Sequence, residues 1–147
     1  MIRRRVNPAF KRWSRRLIVV GALLGAYPVF VFGAVYARCL GSDLPGGRDG
    51  PGDAYRHTLA SAIVAYTSSP RCVNWVTRVM ERDVHERPGS AMDAHNNRIG
   101  ARIGASANSW TSMQQAVLAA IHDGTVDARS PDQITWRAPD AWRERLY

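Results

Sequence analysis

No acidic residue precedes Leu17, and no charge of either sign lies between Leu17 and Ala37. The chain also has no glycine-rich phosphate loop, no zinc-ribbon cysteine spacing and no nucleophile motif. Nucleotide-cradling and covalent-nucleophile readings therefore have nothing to stand on. Internal repeats and low-complexity tracts are missing, and no run alternates apolar and polar residues as a half-buried strand would. The two cysteines, Cys39 and Cys72, allow either one bridge or a free Cys39 and a buried Cys72. The bridge would close a loop worth ~3–4 kcal/mol in the chain-entropy model.

The charge is unevenly placed. Of the net +8, the first sixteen residues carry +7, and residues 38–147, with thirteen arginines and twelve acids, carry +1. This excess is a topogenic signal on a nearly neutral domain, so no nucleic-acid partner is expected. Residues 1–16 form a basic cytoplasmic segment and 17–37 a single transmembrane helix. Twenty-one residues at ~1.5 Å each make ~31 Å, enough for a hydrocarbon core. Basic residues on the near side keep the N-terminus inside, giving a single-pass protein of the cytoplasmic membrane with its C-terminal domain periplasmic or extracellular. A signal peptide cleaved after Val35-Tyr36-Ala37 is the alternative, but the long basic segment and long apolar run favour an uncleaved anchor. Gly21 and Gly25 form a GxxxG pair through which two copies can dimerise.

Residues 38–52 read as a linker, since Gly41–Gly52 holds five glycines and two prolines. Residues 53–147 then form one small exported domain. The expected fold is all-α: the transmembrane helix followed by a bundle of about four helices. Asp53 caps the first, which runs to about Ser68 with Tyr55, Leu59, Ala62, Ile63 and Tyr66 at helical spacing. A second runs from about Arg71 to His85. A capping box at Ser90–Asp93 opens a third, to about Ala105. The fourth spans about Ser109–His122, with Gly124 as its stop. The last twenty residues, with Trp136 and Trp142, wrap over the bundle.

Within this domain, polar chemistry gathers between Asp49 and Gly104. Asp53 and His57 are four apart and share one helix face, where the carboxylate can orient the imidazole or share a metal with it. Arg56 can hold an anionic group. His85 and Glu86 sit at a helix end, where a histidine is also explained by the helix dipole. Asp93, Asn96 and Asn97 place poor helix formers in mid-helix. Either a ligand site or a structural amide network explains them. Gly100 and Gly104 cost ~1 kcal/mol each relative to Ala and suggest close approach of another helix. Antiparallel neighbours would bring these segments to one end of the bundle, with the His57 and Asp93 side chains within about 8 Å of each other.

Together, D-A-Y-R-H, H-E and M-D-A-H-N-N-R-I-G resemble a bacterial domain family with the pattern D-A-x-R-H, H-E, M-D-x-x-N-N-x-x-G. That family occurs alone and as C-terminal domains of secreted polymorphic toxins. It is similar to helical toxin domains that attack the envelope, including metal-dependent ones that cleave the lipid-linked wall precursor. Family members often carry a tryptophan soon after the R-H pair, where this chain has Thr58-Leu59-Ala60-Ser61. The resemblance implies a membrane-anchored hydrolase acting on a phosphoester or pyrophosphate bond of a lipid-linked wall precursor or a phospholipid. Asp53, His57, His85, Glu86 and Asp93 are the candidate ligands of a divalent cation (Ca²⁺, Mg²⁺ or Zn²⁺). His57, Asp93, Arg56, Asn96 and Asn97 are the candidate catalytic and positioning groups. Two alternatives stay open: a signal-anchored peptidoglycan-degrading lysis enzyme using a carboxylate pair, and a non-enzymatic single-pass envelope adaptor.

Overall fold

A glycine-proline helix start and two close glycine contacts organise the bundle around one central helix. The computed structural model describes residues 8–69, 71, 73 and 90–142. In chain order its elements are α1 (Pro8–Cys39), α2 (Pro51–Thr67), α3 (Ser90–Ser106), α4 (Trp110–His122), β1 (Thr125–Val126), β2 (Thr135–Trp136) and α5 (Pro139–Trp142). The architecture is mainly helical. Among the described residues the one departure is a two-residue parallel ladder, Thr125 opposite Thr135 and Val126 opposite Trp136. Such a ladder is too short to leave an alternating pattern in the sequence. The expected second helix from Arg71 to His85, with Cys72, lies outside the described residues apart from Arg71 and Val73.

Helix α2 starts earlier than expected. Gly50 is its N-cap and Pro51 occupies the first turn, where a fixed φ and a missing N–H suit the helix. Asp53 is therefore not the cap but sits inside the first turn. There its Oδ2 accepts from the Asp49 N–H at 2.8 Å, satisfying a donor just ahead of the helix. Ser109 does cap α4, in a reciprocal box with Ser112. Gly124 is not a left-handed stop: a Cβ there would lie 2.4 Å from the Trp136 ring, so its small size admits the indole.

Residues of α2 are buried on several sides, and Leu59, Ala62 and Ile63 are fully enclosed. Against them pack Ile99 of α3, Met113, Val117 and Ile121 of α4, and Ile134 beside β2. Helices α2 and α3 meet most closely at the glycines. A Cβ on Gly100 would lie 2.2 Å from the Thr58 carbonyl oxygen, and one on Gly104 2.1 Å from that of Ala62. Only glycine lets the two backbones touch there. This contact fixes the rotation of α3 against α2, and with it what faces what at the site.

The uncharged run Leu17–Ala37 is helical, but among the described residues no helix is long and apolar enough to cross a membrane. The packing adds a physical reason against a free-standing span. Val31, Ala34, Val35 and Cys39 lie against the core, the Tyr27 hydroxyl shares a 2.6 Å hydrogen bond with Thr67, and Phe30 meets Trp110 at a 6.1 Å ring separation. The second half of the run is thus a wall of the bundle. Nor is the glycine-rich stretch after it a loose tether. Gly46 adopts a left-handed φ of 84° and faces Gly50 beneath the Trp142 ring. Gly52 N–H donates to the Pro45 carbonyl, and Arg137 N–H to that of Asp49. Cys39 is a free thiol, half-buried, and burial pushes it above the usual thiol range despite the nearby Arg56.

Candidate metal centre

Three elements build the polar cluster. The start of α2 supplies Asp53 and His57, one turn apart; the start of α3 supplies Asp93; the clamped loop 44–50 brings Asp49 and Arg48 beside them. His57 Nε2 lies 3.7 Å from Asp53 Oδ1 and 3.7 Å from Asp93 Oδ1. The expected meeting of His57 and Asp93 is therefore present. One ligand atom from each of the three residues falls within 4.8 Å of the others. Atoms bound to one cation at ~2.0–2.6 Å are separated by about this much.

Their state of satisfaction fits a cation as well. Asp93 Oδ1 is buried and has no hydrogen-bond partner, and at 3.7 Å the imidazole is too far to supply one. Burial pushes the Asp93 carboxyl above the usual range, with Asp53 and Asp49 adding to the rise, while His57 and Arg48 oppose it. Two carboxylates held together around an imidazole, one with an oxygen left unpaired, are what a positive ion would relieve. Asp53 is largely buried, but His57 and Asp93 keep 37% and 30% of their side-chain surface. Solvent can therefore reach the cluster.

The remaining sequence candidates divide sharply. Arg56 is at the site, but its guanidinium is already engaged. It donates to Asp53 Oδ1 at 2.6 Å and to the Gly47 carbonyl, so it braces Asp53 and the loop rather than presenting an open anion hook. Asn96 is fully buried. Its Nδ2 donates to the Thr135 carbonyl at 2.8 Å and its Oδ1 accepts from the Thr135 N–H at 3.1 Å. That amide acts as an extra rung on β2, with both its ends engaged by the backbone. Asn97 Oδ1 accepts from Ser61 Oγ at 2.8 Å across the α2–α3 contact, so it too serves the helix pair. His95 bonds the Gln133 carbonyl at 2.8 Å. The amide-network reading of Asn96 and Asn97 is thus the one the geometry favours. His85 and Glu86 lie outside the described residues.

Asp49 was not among the sequence candidates. It is 7% exposed, takes a left-handed φ of 60° and acts electrostatically on Asp93. Its signal was the spacing Asp49–Asp53 across Gly-Pro-Gly, which reads as linker unless the helix start at Pro51 is recognised. A concavity of about 680 Å³ among the described residues runs between α3 and α4 past Ile99, Arg102, Ile103 and Asp132 and includes none of the three ligand candidates. A cation needs converging oxygens and nitrogens and little volume.

A family model described as "Domain of unknown function (DUF6973)" matches residues 40–128, and the chain belongs to that family. The matched segment holds Asp49, Asp53, His57 and Asp93 and stops short of Thr135. Comparison with curated proteins gives no match, nor does comparison with solved structures.

Proposed function

From the geometry of the cluster, we propose a metal-dependent hydrolase held at the membrane by its N-terminal helix. It would act at the envelope face on a phosphoester or pyrophosphate bond of a lipid-linked wall precursor or a phospholipid. The observation that carries the reading is the convergence of Asp53, His57 and Asp93, with a buried Asp93 oxygen left unpartnered. A divalent cation held there would polarise a phosphoryl oxygen and activate water. Asp53 is pre-set for ligation by the Asp49 N–H and by Arg56. His57 and Asp93 form the exposed side of the cluster, where a substrate approaches. The motif resemblance to envelope-attacking toxin domains supports the substrate class, and the basic, acid-free N-terminal segment supports the location.

A second reading draws on one feature of the same cluster. Asp53 and Asp93 carry carboxylate oxygens within 4.8 Å of each other, and Asp93 is held above the usual range. A close carboxylate pair with one raised member is the equipment of a retaining glycosidase, which suits a peptidoglycan-degrading lysis enzyme. Purified full-length protein incubated with a lipid-linked pyrophosphate and, separately, with peptidoglycan distinguishes the two. Chelator-sensitive phosphate release that disappears in Asp93→Asn is expected. Chelator-insensitive release of glycan fragments would replace the first reading with the second.

A further inference from the structure

The outward face of α1 is apolar and bare. Val29, Phe32 and Tyr36 on α1, and Leu40 just past its end, follow at three- and four-residue intervals and so continue one side of the helix, with 72, 65, 50 and 82% of their surface exposed. The Phe32 and Tyr36 rings lie 4.9 Å apart and make the strip continuous. The other side of the same turns, Val31, Ala34 and Val35, faces the core. Monomeric proteins seldom leave so long an apolar strip open unless something covers it.

The charge pattern says what covers it. Lys11, Arg12, Arg15 and Arg16 lie on the same helix, and no acidic residue occurs before Asp43. An apolar strip continued by a basic, acid-free segment matches an anionic lipid surface. Rings and aliphatic chains enter the acyl boundary while arginine and lysine meet headgroup phosphates. A second copy packed in parallel would instead set two strongly basic segments side by side. Crossing is at odds with the packing, because the half of α1 that would need lipid all round it is a wall of the bundle. The helix that carries the strip ends near the polar cluster on its core-facing side. Cys39 lies close enough to Arg56 to feel its charge, and Arg56 bonds Asp53.

We propose that α1 lies along a lipid surface through the Val29–Phe32–Tyr36–Leu40 strip instead of crossing the bilayer, and so holds the Asp53–His57–Asp93 cluster at the headgroup layer. This rests on the membrane-held part of the proposed function and narrows its substrate to bonds at headgroup depth.

The test uses full-length protein in bacterial spheroplasts, with Cys39→Ala and Cys72→Ala as background and a single cysteine placed by Asn7→Cys or by Asp43→Cys. Both positions should react alike with a membrane-impermeant maleimide added outside. Labelling of one position with protection of the other would mean that α1 crosses, overturning the inference and leaving the membrane reading intact. Equal protection of both would keep the inference and overturn the envelope-facing placement. Protein recovered in the soluble fraction would overturn the membrane reading and the inference together. As a second measurement, Phe32→Asp with Tyr36→Asp should weaken binding to phosphatidylglycerol vesicles by about tenfold or more, with unchanged helicity because both side chains are exposed. Unchanged vesicle binding would contradict the strip's role.

Discussion

Asp93 and Asn96 are one helical turn apart on α3, yet their circumstances are opposite. The Asn96 amide is sealed from solvent and both its ends are bonded to the backbone of Thr135. Asp93 keeps one buried oxygen unpartnered beside two other acids. One residue of the M-D-A-H-N-N segment is spent on holding the fold, and the other is left in an unfavourable state that a ligand would relieve. Buried polar groups are normally satisfied, so the difference separates a fold-holding group from a candidate ligand within a single turn.

The sharpest way to break that contrast is at the fold-holding end. Asn96→Ala removes both bonds and leaves the Thr135 N–H and carbonyl buried, which should cost about 3 kcal/mol or more and lower the midpoint of urea unfolding accordingly. A loss under ~1 kcal/mol would show that Asn96 is not the rung described. Cation binding is next in size. An ion at a hundred times its dissociation constant should stabilise the fold by ~2.7 kcal/mol, a gain visible in thermal melts of the full chain. Asp93→Asn and His57→Ala should abolish it, and Asn97→Ala should keep it. If melting is the same with chelator and with every cation, the cluster has no metal role.

Asn97→Ala itself should be mild, about 1 kcal/mol for the lost bond to Ser61, with cation response intact; loss of that response would move Asn97 into the site. The smallest expected effect concerns pH. An acid held above its ordinary range favours the protonated folded state, so its contribution is present at acid pH. It is lost as pH rises through the ordinary carboxylate range towards the raised value. Chelated Asp93→Asn should therefore melt higher than wild type near neutrality, and the two should converge on acidification. A lower melting temperature for the variant at neutral pH would mean that the Asp93 charge is stabilised by contacts other than those described.

Much of this was legible in the sequence, for physical reasons that also explain the failures. The helix periodicity of Tyr55, Leu59, Ala62 and Ile63 revealed α2, and the cost of Gly100 and Gly104 in mid-helix pointed to the backbone contact that they make with Thr58 and Ala62. His57 and Asp93 were legible as partners because short helices return the chain to one end of the bundle. Asn96 and Asn97 were misleading because a costly residue signals only that something compensates it. Pairing with Thr135, 39 positions away, leaves no local trace. Loop 44–50 was misread because its order comes from Trp142 and Arg137, far along the chain. The spanning helix has no support in the fold, because hydropathy records that residues 31, 34 and 35 avoid water but not whether protein or lipid shelters them.

The most direct test of the account is calorimetric titration of Mg²⁺, Ca²⁺ and Zn²⁺ into metal-stripped full-length protein and into its Asp53→Asn, His57→Ala, Asp93→Asn and Asn96→Asp forms. Saturable binding of at least one of these ions to a single site is expected in the wild type, lost or weakened at least tenfold in each of the first three variants. Folded Asn96→Asp protein should bind as wild type does. No saturable binding, or binding that survives His57→Ala and Asp93→Asn unchanged, would contradict it.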